Sequence, residues 1–106
     1  METQAEYGTS EVVKAGESRS TTDHATIRDW IEARDGSPAW LVQRNSADDQ
    51  GRLRVEFSGY RSGEWLEAIR WETFFQRFED AKLAFVYQDS LSDGTISRFC
   101  TFVPRR

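Results

Sequence analysis

One stretch decides the fold of this chain: Trp71-Glu72-Thr73-Phe74-Phe75-Gln76-Arg77-Phe78. Its four large aromatic rings recur at i, i+3, i+4 and i+7, the spacing that places side chains along one stripe of an α-helix. The polar residues between them then face water. The pattern predicts an amphipathic helix over about residues 71–81, with the rings forming the anchor of a hydrophobic core. Burial of such rings contributes roughly 2 kcal/mol each to stability.

Strands are predicted on both sides of this helix. The clearest is Arg52–Phe57, where apolar and polar residues alternate so that Leu53, Val55 and Phe57 share one face. The predicted elements, in chain order, are a helix capped by Thr22 or Asp23, strands over 39–43, 52–57 and 65–69, the aromatic helix, and strands over 83–87 and 95–103. The order α-β-β-β-α-β-β predicts an α+β protein with a mostly antiparallel five-stranded sheet and two helices packed on one face.

A length of 106 residues suits one domain. Residues 1–22 are rich in Glu, Ser, Thr and Gly and offer little apolar surface, so we expect a flexible tail there. The single α+β domain is expected over residues 23–103, and residues 104–106 are expected to form a solvated end.

Composition narrows the classes of partner. The formal net charge is −4, which argues against nonspecific binding to nucleic acid, since that requires a basic surface. Cys100 and His24 are each the sole residue of their type, so neither a disulfide framework nor a multi-histidine metal site can form within the chain. We expect no cofactor.

No apolar run approaches the roughly 20 residues of a membrane span, and the start lacks a secretory signal pattern. A cytoplasmic location is therefore expected.

Twelve of the 14 basic residues are arginines, a bias typical of a GC-rich bacterial genome. Four blocks of residues carry a resemblance: Asp23-His24…Ile27-Arg28…Trp30…Glu32-Ala33-Arg34…Gly36…Pro38-Ala39; Leu53-Arg54…Phe57…Gly59-Tyr60; Leu66-Glu67…Ile69…Trp71-Glu72…Phe74-Phe75…Phe78; and Leu83-Ala84-Phe85…Tyr87-Gln88-Asp89 with Ser97-Arg98-Phe99. Over about residues 20–103 the chain resembles a family of small, uncharacterised bacterial proteins that sometimes carry the label "1,4-alpha-glucan branching enzyme".

The resemblance implies no established activity. Glucan transfer requires two carboxylates and a long sugar groove on a barrel of roughly 250 residues, so we do not expect the label to describe this chain. Arg70 stands where the family carries a serine able to cap the second helix, which leaves Glu72 and the helix dipole to stabilise that helix start.

No catalytic constellation is evident, and the chain is not expected to be an enzyme. His24 lies near Asp23 but shares a side of its helix with apolar residues, which favours a partly buried structural role. Glu56 alternates with core residues of its strand and is expected to face solvent. Cys100 is expected to be a small core residue of a central strand.

The loop between the second and third strands is the candidate binding site. Tyr60, Arg61 and Trp65 combine aromatic and guanidinium groups, which dominate interface energetics, with two flexible glycines. A hairpin loop whose ring folds back on the core is the alternative interpretation. We expect a non-enzymatic protein-interaction or regulatory module whose partner is another protein. An unpaired edge strand could also form a homodimer.

Two other functions remain open. The first is a small-ligand or carbohydrate-binding protein that uses Trp40, Trp65 or Tyr87 as stacking platforms. The second is an acidic inhibitor or decoy protein from a mobile element, which would offer carboxylates to a basic groove.

Overall fold

The computed structural model describes residues 16–42, 52–60, 63 and 65–105. The elements, in chain order, are β1 (Ser18–Thr21), α1 (His24–Glu32), β2 (Gly36–Leu41), β3 (Leu53–Phe57), β4 (Leu66–Ala68), α2 (Trp71–Asp80), β5 (Leu83–Gln88) and β6 (Cys100–Pro104). Two helices and antiparallel strands confirm the α+β class.

The predicted single five-stranded sheet is wrong. The described strands form two three-stranded antiparallel sheets, with the orders β1-β5-β6 and β3-β2-β4. In each sheet the inner strand is flanked on both sides, β5 by β1 and β6, and β2 by β3 and β4. As a result β3 and β6 each have one edge that no described strand covers.

Strand β1 falls where the sequence predicts a flexible tail over residues 1–22. Residues 1–15 lie outside the described part of the chain, but Ser18–Thr21 pairs with β5, from Ser18 opposite Gln88 to Thr21 opposite Phe85. The Gln88 amide also donates to the Gly16 carbonyl at 2.6 Å. Backbone bonds therefore hold β1 in place, since three of its four residues are exposed.

Helix α1 begins as predicted. The Asp23 carboxylate accepts from the Thr26 amide at 2.9 Å, which satisfies one of the unpaired donors at the helix start. Helix α2 follows the predicted aromatic pattern, with Phe74 and Phe78 fully buried and Trp71 and Phe75 half-buried against the same core.

One core joins the two sheets. The Trp30 ring of α1 lies edge-on to Phe57 of β3 and Phe85 of β5, with centroids 6.2 and 5.5 Å apart. The buried cluster comprises Ile27, Trp30, Ile31, Leu53, Phe74, Phe78, Leu83, Phe85 and Tyr87. Residues of both helices and of both sheets thus pack against each other.

Strand β2 begins at Gly36, three residues before its predicted start. Gly36 is needed because a Cβ at this position would lie 2.7 Å from Ile31 Cγ2, closer than packing allows. Pro38 is tolerated because it lies opposite Ile69, just beyond the end of β4, and its carbonyl accepts the Ile69 amide at 3.2 Å.

Strand β6 is shorter than predicted and is an edge strand, whereas the sequence favoured a central one. Phe99, just before it, is accordingly 48% exposed. The C-terminal end, expected to be solvated, extends this sheet: Pro104 belongs to β6, and the Arg105 amide donates to the Lys82 carbonyl at 2.7 Å.

Candidate functional site

The predicted binding residues Tyr60 and Trp65 lie at opposite ends of β2. Strands β3 and β4 are both antiparallel to β2, so the chain between them must return along its length. The Tyr60 amide donates to the carbonyl of Phe57, opposite Gly36, whereas the Trp65 carbonyl accepts from Val42. At about 3.3 Å per residue, the two ends of β2 are about 17 Å apart. The structure does not bring these residues into one site, and Arg61 lies outside the described residues.

Neither ring folds back into the core. The Tyr60 side chain is 58% exposed and that of Trp65 is 71% exposed. Tyr60 has a neighbour that the sequence did not predict, because the guanidinium carbon of Arg98 lies 4.7 Å from its ring centroid. Trp65 instead lies beside the partly exposed Val42.

A cleft of about 360 Å³ separates the uncovered edges of β3 and β6. We call it the β3–β6 cleft. Its lining residues are Leu53, Arg54, Val55, Phe57, Arg98, Cys100, Thr101 and Phe102. Four of these, Val55, Phe57, Cys100 and Phe102, also pack on the hydrophobic core. The cleft therefore has an apolar floor that is continuous with the protein interior.

The backbone of β6 directs alternate residues into this cleft. The Arg105–Lys82 and Gln88–Phe99 backbone bonds mark the positions at which β6 and β5 exchange hydrogen bonds. In an antiparallel ladder such positions alternate. The odd-numbered residues of β6 thus bond to β5, and the even-numbered Cys100 and Phe102 turn their N–H and C=O groups toward the cleft.

Strand β3 presents its backbone in the same way. The bond from the Ser58 amide to the Asp35 carbonyl fixes the even-numbered residues of β3 as those that bond to β2. Leu53, Val55 and Phe57 therefore turn their backbone groups toward the cleft, although the carbonyls of Leu53 and Phe57 already accept from Arg54 Nη1 and from the Tyr60 amide, at 3.0 Å each. No described strand pairs with either edge, so backbone amides of both strands, and the carbonyls of Val55, Cys100 and Phe102, border the cleft from opposite sides.

The charge of the cleft is opposite in sign to that of the chain. Arg54 and Arg98 line it, and no carboxylate does among the described residues. The Nε of Arg98 is buried, and no described group accepts a hydrogen bond from it. Buried donors normally have acceptors, so Arg98 retains an unused donor beside the cleft.

Cys100 lines the cleft with a partly buried thiol. Burial raises the pKa of the Cys100 thiol to about 12, with a smaller opposing effect of Arg34. The thiol therefore stays protonated and contributes apolar surface, as the sequence predicts for a core residue, although its strand lies at an edge.

His24 is exposed, not partly buried as the sequence predicts, and it makes structural contacts. Its Nε2 lies 2.7 Å from Glu79 Oε2, and its ring stacks on Phe75 at 4.2 Å. Arg105 donates to both oxygens of the same carboxylate, at 3.1 and 3.2 Å. This cluster joins the start of α1, the end of α2 and the chain after β6.

Acidic residues gather around a second pocket. Glu56 is exposed, as predicted, and together with Asp35 and Tyr60 it lines an open pocket of about 440 Å³. Within the described ranges, no group of three or more His, Cys, Asp or Glu residues is placed to hold a metal ion. The helices described here are too short or too polar to cross a bilayer.

No family model, no curated protein and no solved structure matches this chain. The functional inference therefore rests on the site itself. The sequence pattern singles out Tyr60 but not Arg54 or Arg98, because nothing in it indicates that β3 and β6 are edge strands.

Proposed function

We propose that this protein is a non-enzymatic interaction module that binds an extended segment of another protein by strand addition in the β3–β6 cleft. The observation that carries the proposal is that two uncovered strand edges face one cleft, with the amides of odd-numbered β3 residues and the backbone groups of even-numbered β6 residues directed into it. An inserted strand would bond to both.

A guest strand in this position would convert two small sheets into one. The resulting strand order would be β1-β5-β6-guest-β3-β2-β4. Each backbone hydrogen bond contributes roughly 0.5–1.5 kcal/mol net, whatever the guest sequence, and side chains on the apolar floor add to this.

The test uses peptides selected on the full-length chain from a displayed library of random sequences. On binding, hydrogen exchange measured by NMR should slow at the amides of Val55, Phe57, Cys100 and Phe102. The amide of Val103 should change little, because its position in the ladder already bonds it to β5. Methylation of successive peptide nitrogens should abolish binding while leaving every side chain unchanged.

Two outcomes would overturn the proposal. One is protection of amides elsewhere, for example near Trp65 and Val42, with no change at the cleft. The other is binding that survives methylation of every peptide nitrogen, since strand addition requires those donors.

The exposure of Trp65 favours a second candidate function, the binding of a small ligand or carbohydrate. Of the three aromatic platforms expected from the sequence, Tyr87 is buried, and the Trp40 ring is approached by Arg77 at 4.0 Å. Trp65 alone of the three is largely exposed. Titration with soluble oligosaccharides should then change tryptophan fluorescence in the wild type but not in Trp65→Phe; equal responses, or none, would exclude Trp65 as the platform.

A further inference from the structure

We infer that the partner segment bound in the β3–β6 cleft alternates apolar and acidic residues, and that Arg98 selects the acidic ones. This inference rests on the proposed function and adds the chemistry of the partner. It follows from the two kinds of surface that the cleft offers, an apolar floor and a basic border.

The floor accounts for the apolar half of the pattern. Successive side chains of a strand point to opposite faces, so every second residue of a guest would point toward the core side of the cleft. There it would contact Val55, Phe57, Cys100 and Phe102, which already pack on the core cluster. Apolar residues at those positions would extend the core, whereas polar ones would be buried without partners.

The border accounts for the acidic half. Both charged residues in the described lining are arginines, in a chain whose formal net charge is −4. A buried donor without an acceptor costs about 1–3 kcal/mol. A guest carboxylate beside the buried Nε of Arg98 would remove that cost and gain a charge-assisted bond, which is stronger than a neutral one.

Tyr60 positions this arginine. Its ring centroid lies 4.7 Å from the Arg98 guanidinium carbon, within the range of a cation–π contact. The contact limits the rotamers of Arg98 and leaves the rim of the guanidinium for carboxylate binding. Tyr60, predicted as a recognition residue, thus acts through Arg98 and not as an isolated aromatic anchor.

The test measures fluorescence anisotropy of the full chain with labelled peptides of about eight residues. Three of the peptides alternate valine with one polar residue, which is glutamate in the first, lysine in the second and serine in the third. The fourth peptide has the same composition as the first, but its valines are adjacent to one another. The alternating glutamate peptide should bind at least about tenfold more tightly than the lysine peptide, as one charge-assisted bond allows. The serine and grouped peptides should be weaker than the alternating glutamate peptide.

Charge reversal gives the sharper comparison. Arg98→Glu should reverse the preference between the glutamate and lysine peptides, and Arg98→Gln should reduce it. Tyr60→Leu should weaken selection less than Arg98→Gln. The matched control is Arg70→Glu, an exposed arginine outside the cleft lining, which should leave the preference unchanged. Thermal unfolding of each variant checks that it is folded.

The outcomes separate this inference from the proposed function. Peptides that protect the cleft amides equally well whatever their charge would overturn the inference alone. If no peptide protects those amides, both fail. If the cleft amides become protected from hydrogen exchange as the protein concentration rises, and sedimentation shows a dimer, the cleft binds a second copy of the chain. That result would overturn the inference. Tight binding of a single-stranded RNA that competes with the glutamate peptide would also overturn it.

Discussion

At the scale of single residues, Arg34 connects α1 to the long segment that follows β5. It is buried, and its guanidinium donates to three backbone carbonyls, those of Ser97, Trp30 and Asp89, at 2.6, 3.0 and 3.0 Å. The same group lies 4.1 Å from the centroid of the Trp30 ring. The planar fork of arginine suits this position, because it donates from three separate nitrogens, whereas all the donors of a lysine ammonium share one nitrogen.

Arg34→Lys should therefore lower the free energy of unfolding by about 2–4 kcal/mol, since carbonyls lose their donors in a buried setting. Urea denaturation would measure the loss. The matched control is Arg28→Lys, whose side chain is 51% exposed and pairs with Glu32 one turn later. That change should cost less than about 0.5 kcal/mol. Similar losses in the two variants would contradict the structural role of Arg34.

The roles of individual residues were only partly predictable. The Asp23 cap could be predicted because a cap bonds residues three positions apart, here Asp23 and Thr26. The pairing of Arg34 with Ser97 and that of His24 with Glu79 could not be, because these partners lie 63 and 55 residues away along the chain. Spacing within a helix carries information about its faces and its ends, but not about which distant strand or helix its side chains contact.

At the scale of elements, helix α2 has a well-packed interior, but its first turn lacks a side-chain cap. Its Arg70 N-cap adopts the extended conformation of a cap residue but makes no side-chain capping bond. Arg70 pairs instead with Glu72, and both side chains are about 80% exposed. Such a pair contributes little, so the first-turn amides of α2 lack a side-chain acceptor at the cap position.

Arg70→Asp should therefore stabilise the protein by about 1 kcal/mol, since aspartate can accept from the helix amides and its charge suits the helix dipole. Arg70→Ala is the control, because it removes the Glu72 pair without adding a cap, and it should change stability by less than about 0.5 kcal/mol. Thermal unfolding measures both. A destabilised Arg70→Asp would show that Arg70 makes a contribution other than the exposed pair.

The cluster of His24, Glu79 and Arg105 should make stability depend on pH. The hydrogen bonds from Arg105, and then from His24, hold the pKa of the Glu79 carboxyl below its ordinary value of 4.5. A carboxyl whose pKa is lowered by folding stabilises the protein above its unfolded pKa, and this contribution is lost as pH falls through the folded value.

Glu79→Gln should thus be less stable than the wild type at neutral pH, and the difference should shrink as pH falls below about 4.5. Denaturation at several pH values measures it, with Glu72→Gln as the control at an exposed pair. A stability difference that does not vary with pH would indicate that the carboxylate charge is not what stabilises the cluster.

Elements with a strong periodic pattern were predicted correctly, and those without one were not. The α2 stripe and the alternating β3 each encode their own buried face. Strand β1, with the sequence Ser18-Arg19-Ser20-Thr21, has no apolar face and is held by backbone pairing with β5, which no local pattern can indicate. The sheet split for the same reason, since strand partners are chosen by packing over long distances in the chain.

At the scale of the whole molecule, two sheets depend on one core. Trp30 contacts residues of both, and Leu53 of β3 and Leu83 of β5 belong to the same buried cluster. The buried residues of each sheet pack against this one cluster, so the loss of either sheet would expose it to water. The two sheets should therefore unfold together.

Denaturation followed by far-ultraviolet circular dichroism and by tryptophan fluorescence should give coincident, single transitions. Phe85→Leu, which truncates a core ring in contact with Trp30, should shift both midpoints by the same amount. Two separated transitions, or a shift of only one midpoint, would show that the sheets are independent units.

The uncovered edge of β6 ends at a proline. Pro104 is the last residue of β6, at a position whose backbone faces away from β5, and proline has no N–H to offer. A strand laid along this edge meets donors at Cys100 and Phe102 but none at Pro104. If the incoming strand shifted by two residues toward the C-terminus of β6, it would lose one backbone hydrogen bond. The proline nitrogen therefore favours one alignment of an incoming strand. It also limits the edge-to-edge association of further copies of the chain.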